Sequence, residues 1–428
     1  MLLVQLDKPS PRVRYVVGHV LGRMLGLDVT YAQGTEEFRS AVGPRLSYGE
    51  QRFERAIHIP WSAAIEDLPE HDPDVSVEED IRRMFLVNGE EDVFAGIFYL
   101  LSLTDELRCK ERDAHGRIPS SALFTVRKGI AERPWVDEKV MALGRVLETT
   151  WPAELQCAVR YRNCVTVDMD NILRYAGRSF ARAFGGSMKD LLRGDGSAVV
   201  ERWRVRGGAL PDPFSKSIEL IASQHDHWHR CIFFFLMRGG TGHDHAADHD
   251  FEGVRQAIRR AGDVGIVGVH PSYDSSRARD MAEKERTMLM RIRGKGVHHT
   301  RQHFLRWDLP GTLRELSAGG YYEDHTLGFM DRAGFRVGTC TPFPWYDLER
   351  EQETRLMLHP FAVMDSALIE HQGMGPEEVV RTMNTMSDLV RAVNGQFISV
   401  WHDRYLSGHR EFALWPSVFE RVIKHACL

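Results

Sequence analysis

The chain has 428 residues, is 43% hydrophobic and 27% charged, and carries a formal net charge of -5. That balance is ordinary for a globular protein, leaves room for a large core and points to two domains. Lys and Arg are spread along the chain, which gives no electrostatic ground for a nucleic-acid partner, and no apolar run approaches the roughly 20 residues that span a bilayer.

In chain order, MLLVQLDKPSPRVRY lacks a basic start followed by a long apolar stretch, so no signal peptide is expected. Residues 1–150 are read as a smaller α+β N-terminal domain. PRVRYVVGHVLGRML sets Val13, Val16, Val17, Val20, Leu21, Met24 and Leu25 at helical spacing, and VFAGIFYLLSLTDEL reads as a second helix. RLSYG and RAIHIPW between them read as short strands. The six cysteines lie far apart with no CxxC. They suit buried hydrophobes in a reducing compartment, so a cytoplasmic protein is expected.

Residues 151–428 follow another rhythm. Short apolar runs end in ionisable residues: CVTVDMD, VGIVGVHPSYD, GVHHTRQH, FRVGTCTPF, RLMLHPF and FISVWHD. Helix-like segments such as FEGVRQAIRRAG and LPGTLRELSAGG separate them. Strand alternating with helix predicts parallel strands joined by crossovers, and about seven such units fit a (β/α) barrel. No GxGxxG or P-loop follows a strand, which argues against a nucleotide-binding sheet.

Active sites of such barrels form at the carboxyl ends of the strands, where this sequence sets Asp168, Asp170, His270, Asp274, Arg301, His303, His359 and His402. The pair in VTVDMD offers a metal one carboxylate and leaves the other as a base; the competing reading is a helix cap formed by Asp170 or Asn171. His270 and Asp274, four apart, have the spacing of metal ligands if a helical turn brings both inward, and Asp274 is otherwise a cap. Arg301 is suited to clamp a carboxylate and keep it ionised. His402 closes an apolar strand where a general acid would stand. His359 does the same or is a core histidine. The segment from His225 to His249 holds six of the 20 histidines and reads as a solvated loop, although Asp244 within it follows a strand and can approach the same mouth.

Together VTVDMDN, VGVHPSYDSS, TRQHFLRW, EDHTLGFMDRAGFRVGTCTPFPWYDLE, LHPFAVMD and VWHD resemble the polysaccharide deacetylase family, also called the NodB homology domain or carbohydrate esterase family 4. VFAGIFYLLSLTDEL, HGRIPSS and RPWVDE extend the likeness to members with an extra N-terminal domain. The resemblance implies a distorted (β/α) barrel holding one divalent ion, usually zinc, on an Asp and two His, with metal-activated water removing acetate from an N-acetylated sugar. Carried over, Asp168 is the base, Asp170 and His270 are metal ligands, Arg301 holds the base and His402 is the general acid. Asp324 and Thr326 match an element lining the substrate groove, with His303, His359 and the aromatic Trp401 also expected on the substrate side. The family's second metal histidine, four after the first, is Asp274 here, and its arginine-proline element is Arg301-Gln302-His303. The alternative is a deacetylase-like barrel without catalysis that binds carbohydrate or a partner in surface-polysaccharide metabolism. A third is a metal amidohydrolase acting on a small non-sugar amide.

Overall fold

The computed structural model describes residues 1–78, 81–239, 241–278 and 280–428. The chain divides into two units. The first is Met1–Tyr161 with Gly334–Pro360 and Leu389–Gln396, and the second is Arg162–Ala333 with Phe361–Asp388 and Phe397–Leu428. The sequence reading cuts the chain once, at 150; here the first unit runs on to Tyr161 and takes in two later segments.

In the first unit, β1 (Leu2–Leu6), β2 (Val29–Tyr31), β3 (Arg45–Gly49) and β4 (Ile57–Pro60) form a sheet in the order β2-β1-β3-β4. Every pairing in it is parallel. That is an α/β arrangement rather than the segregated α+β pattern expected. Between β1 and β2 runs the helix Pro11–Val17, continued by the π-helical Gly18–Met24. Ser10 starts it, its hydroxyl accepting from the Val13 amide at 3.2 Å, with Pro11 in the first turn where no amide hydrogen is needed. Its stripe from Val13 to Leu25 is buried, as the helical spacing requires. Two short antiparallel pairs follow, β5 (Val75–Glu78) with β6 (Ile81–Met84) and β7 (Leu86–Val87) with β8 (Glu90–Glu91).

The second unit holds β9 (Arg162–Met169), β10 (Arg230–Leu236), β11 (Ile266–His270), β12 (His299–Thr300) and β13 (Glu323–Asp324). The chain then returns to the first unit with β14 (Phe343–Asp347) and β15 (Gln352–Leu358), an antiparallel pair, before β16 (Val363–Met364) and β17 (Gln396–His402). In the second unit the strands pair in the order β13-β12-β11-β10-β9-β17-β16. From β13 to β9 the pairing is parallel, as it is between β16 and β17. β12, β13 and β16 are two residues each, and among the described residues no pairing joins β13 to β16, so the expected barrel is an open sheet.

Two of the expected barrel runs lie in the first unit instead. FRVGTC forms no strand, and RLML ends β15, whose polar first half, Gln352 to Arg355, is largely exposed. That one-sided pattern belongs to an antiparallel strand. β9, β10 and β17 are buried along nearly their whole length, as strands covered on both faces must be. Cys164, Ile232, Phe234, Phe361, Ile398 and Val400 pack into one cluster beneath the carboxyl ends of these strands. Gly268 in β11 has to be glycine, because a Cβ there would meet Phe234 at 2.7 Å and the His299 carbonyl at 2.8 Å. Among the described residues no helix is long and apolar enough to cross a membrane.

Candidate metal centre

The parallel registers bring the strand ends level. Asp168 lies opposite Phe234, His270 opposite Leu236, Val269 opposite Thr300, and Thr300 opposite Asp324. Asp168 projects to the same side of β9 as Thr166 and Cys164, by the strand's period of two. Arg301, the first residue after β12, is fully buried and spans that side. Its Nη1 donates to Asp168 Oδ1 at 2.8 Å, its Nη2 to Thr166 Oγ1 at 2.9 Å and its Nε to the His325 carbonyl at 2.9 Å. The guanidinium also lies 4.6 Å from the centre of the Phe234 ring. Asp168 is thus a fixed, paired carboxylate.

Asp170, His270 and His303 are buried, and one donor atom from each lies within 4.8 Å of the others. Oδ1 of Asp170 makes no hydrogen bond, and it faces His270 Nε2 at 3.4 Å and His303 Nε2 at 3.8 Å. A buried oxygen left without a hydrogen bond is costly unless something else fills the position. The two imidazoles are set for a cation. His270 Nδ1 is 2.5 Å from the Arg301 carbonyl, and His303 Nδ1 is 2.9 Å from Asp244 Oδ1. With both Nδ1 positions occupied, each ring turns Nε2 to the centre, the arrangement that fixes tautomer and orientation in metal-bound histidines. A carboxylate and two imidazoles suit a borderline divalent ion, so the residues present fit a metal.

Electrostatics agree. Burial alone would raise the Asp170 carboxyl, but His270, His303 and His402 outweigh it and hold the group well below the usual carboxylate range. Burial would lower His270, and the charges of Asp168 and Asp170 raise it. Asp244 behaves like Asp170: burial is outweighed by His303 and Thr241, and the carboxyl stays low.

His402, the last residue of β17, donates its backbone amide to Asp365 Oδ2 at 2.7 Å and sets Nδ1 2.6 Å from Asp365 Oδ1. Burial lowers its pKa, but Asp365 more than compensates and the group rises to about 9. Its Nε2 lies 3.9 Å from Asp170 Oδ2, beside Arg404 Nη1 at 3.6 Å. Asp403, pushed up to about 6 by burial and then by Asp170, accepts from the Asn171 and Ile172 amides at 2.9 and 2.8 Å. That grip holds Ile172 at a φ of 50° directly behind the ligand. Phe304 and Leu305, at 59° and 53°, do the same behind His303. Positive φ in such residues costs of order 1–3 kcal/mol each and persists where surrounding contacts enforce it.

The structure places the other expected site residues as follows. Asp274 stands outside the centre, its side chain 59% exposed and 3.9 Å from Arg306. Ser272 is extended (φ -58°, ψ 161°), so residues 270–274 do not form the helical turn that would align the two side chains. His303, read as a substrate contact, supplies the third donor instead. Asp324 and Thr326 are fully buried: the Thr326 hydroxyl donates to Asp324 at 2.8 Å and accepts from the Gln302 amide at 3.0 Å, bracing the loop after β12. Burial raises Asp324 to about 7. Trp401 points away from the mouth, packed edge-on against Phe419 with its Nε1 donating to Ser399 at 3.0 Å. His359 is buried in the first unit, just after β15.

Sequence reasoning missed Asp365 and Arg404. Asp365 follows a two-residue strand, too short for any periodic signal, although VMD has the same apolar-run-to-acid form as VTVDMD. Arg404 lay two residues past a histidine that had been singled out.

A family model described as a family of unknown function (DUF7033) matches residues 2–152. No curated protein matches the chain. Among solved structures the chain is similar to a "putative polysaccharide deacetylase" from Mycobacterium smegmatis at 12% identity and a TM-score of 0.38, covering 63% of this chain and 89% of that one. It is also similar to a polysaccharide deacetylase from Bacillus cereus at 12% identity and a TM-score of 0.29, covering 62% and 86%.

Proposed function

We propose that the second unit is a metal-dependent hydrolase that removes acetyl groups from N-acetylated sugars, as the motifs from VTVDMDN to VWHD suggest. The observation that carries the reading is the convergence of Asp170, His270 and His303 on one carboxylate oxygen that has no hydrogen bond, beside an Arg-clamped Asp168 and an Asp-clamped His402.

Asp170 Oδ1, His270 Nε2 and His303 Nε2 would hold a divalent ion, with zinc favoured by the donor types. When bound, such an ion supplies Lewis-acid polarisation of the amide carbonyl and acidifies water. Asp168, held in place by the Arg301 guanidinium, takes the proton of the attacking water. His402, protonated at neutral pH because Asp365 holds it at about 9, delivers a proton to the departing nitrogen. One C–O bond forms and one C–N bond breaks, so amide and water become acetate and amine. Nothing in this arrangement favours a non-catalytic binding role.

The test is elemental analysis of purified protein with acetate release measured on N-acetylated sugars. About one metal per chain, with both metal and turnover lost in Asp170→Ala, is the expected result. Substoichiometric metal together with unchanged turnover in that variant would sink the reading.

A further inference from the structure

Beside the centre lies a cavity of about 290 Å³ whose lining includes Asn171, Arg174, Arg178, Arg182, Arg202 and His245 and no carboxylate. It begins one residue from the site at two points. Asn171 follows Asp170, and His245 follows Asp244, which holds His303. Two of its four arginines are neutralised: Arg202 pairs with Asp190 at 2.6 Å and Arg174 with Glu411 at 3.3 Å. The other two are not. Arg178 donates from Nη1 to the His245 carbonyl and from Nη2 to the Asn171 and Leu173 carbonyls and Asn171 Oδ1, none of these bonds using Nε. Arg182, one helical turn on, contacts His245 Nδ1 at 2.5 Å. Among the described residues no carboxylate forms an ion pair with either.

Burial, then the charge of Arg182, pushes Arg178 down to about 10 against the opposing charges of Asp403 and Asp212, and burial with both arginines lowers His245. Two adjacent guanidiniums without an ion-paired carboxylate are an unfavourable arrangement that a bound anion relieves. Ser179 starts the helix Phe180–Leu192 at the same place, adding the positive end of a helix dipole. Both arginines also line an adjoining cavity of about 730 Å³, whose lining includes Asp248, Asp250 and the exposed ring of Phe251 as well. That leaves room for the rest of a substrate.

Resting on the hydrolase reading above, we infer that the substrate is a phosphorylated N-acetyl sugar whose phosphoryl group sits between Arg178 and Arg182. A phosphoryl dianion matches two cations that lack ion-pair partners, whereas a carboxylate matches one. Guanidinium forks bind phosphate oxygens through paired hydrogen bonds that a point cation does not make.

The experiment titrates full-length protein with inorganic phosphate, inorganic pyrophosphate and glucuronate, in wild type and in Arg178→Gln and Arg182→Gln. Arg182 is exposed, so its variant keeps the fold and carries the test if Arg178→Gln, which loses backbone contacts, does not. A tenfold or greater rise in the phosphate or pyrophosphate Kd in Arg182→Gln supports the inference. Tighter pyrophosphate marks a diphosphate ester, and equal affinities mark a monoester. Unchanged Kd in Arg182→Gln, or glucuronate binding tighter than either phosphate, overturns it. In parallel, kcat/KM for N-acetylglucosamine 1-phosphate should exceed that for N-acetylglucosamine at least tenfold, and the preference should fall in Arg182→Gln. Turnover of neither sugar refutes the hydrolase reading while the titrations still decide the anion site.

Discussion

Both units bury charge, and they use it differently. In the first unit Arg336 binds Glu106 through two bonds at 2.8 and 2.7 Å. Asp137 accepts from the Cys340 amide at 3.0 Å and the Thr341 hydroxyl at 2.5 Å. Asp92 caps the helix Val93–Leu101 while accepting from Tyr48 and from the Ser62 amide. Each of these carboxylates has its acceptor positions filled by backbone or a single partner. In the second unit Asp244 is filled in the same way and Asp168 accepts from Arg301 at Oδ1, but Asp170 is ringed by two histidines at one oxygen and by His402 and Arg404 at the other, with Oδ1 left open. A buried charge whose partners are complete fastens the fold. One whose partners converge without completing it is where a ligand is awaited.

The comparison can be broken in four places. Asp170→Ala should strip the metal and lower kcat about 10³-fold or more, read by elemental analysis and steady-state rates. Thermal stability of the first unit should not move. Arg336→Ala should do the converse, destabilising the first unit by about 3 kcal/mol because Glu106 is left buried and unpaired, with metal content unchanged. Denaturant unfolding measures the first effect, and a fall in metal stoichiometry would contradict the second.

Asp244→Asn is the sharper probe. It keeps the shape but weakens the grip on His303 Nδ1, and metal affinity should fall about 10–100-fold, measured by competition with a chelator. A normal affinity would remove His303 from the ligand set. The effect that is smallest at neutral pH belongs to His19, buried in the first unit with neither ring nitrogen hydrogen-bonded and its pKa lowered to about 3 by burial and then by Arg23. The unfolded chain takes up this proton near pH 6.5 and the folded chain does not, so stability is full above 6.5. It declines towards pH 3 by up to about 1.4 kcal/mol per pH unit. His19→Leu should flatten that slope in urea titrations run at successive pH values.

What could be read in advance depended on how local each signal was. β9 and β17 were legible because long apolar runs end abruptly in acid or histidine, and Arg301 because TRQHFLRW gathers cations into one loop after a short strand. The helix from Pro11 was legible from its spacing alone. The part of His303 was not, since the choice between Asp274 and His303 turns on the extended backbone at Ser272, which no periodicity marks. The membership of 334–360 in the first unit was hidden too, because RLMLHPF looks like its neighbours until the exposure of Gln352 to Arg355 is known. Asp365 depends on a strand too short to leave a pattern.

The loop after β12 concentrates the site. Arg301 fastens Asp168 through its side chain and His270 through its carbonyl, Gln302 anchors to Thr326 and Ser275, and His303 reaches Asp170. On the proposed function, three consecutive residues therefore serve both the base and the metal ligands at once. The centre behaves as a single cassette: a small shift of this loop cannot weaken one half of the chemistry and spare the other, so the site is inherited, or lost, as one piece.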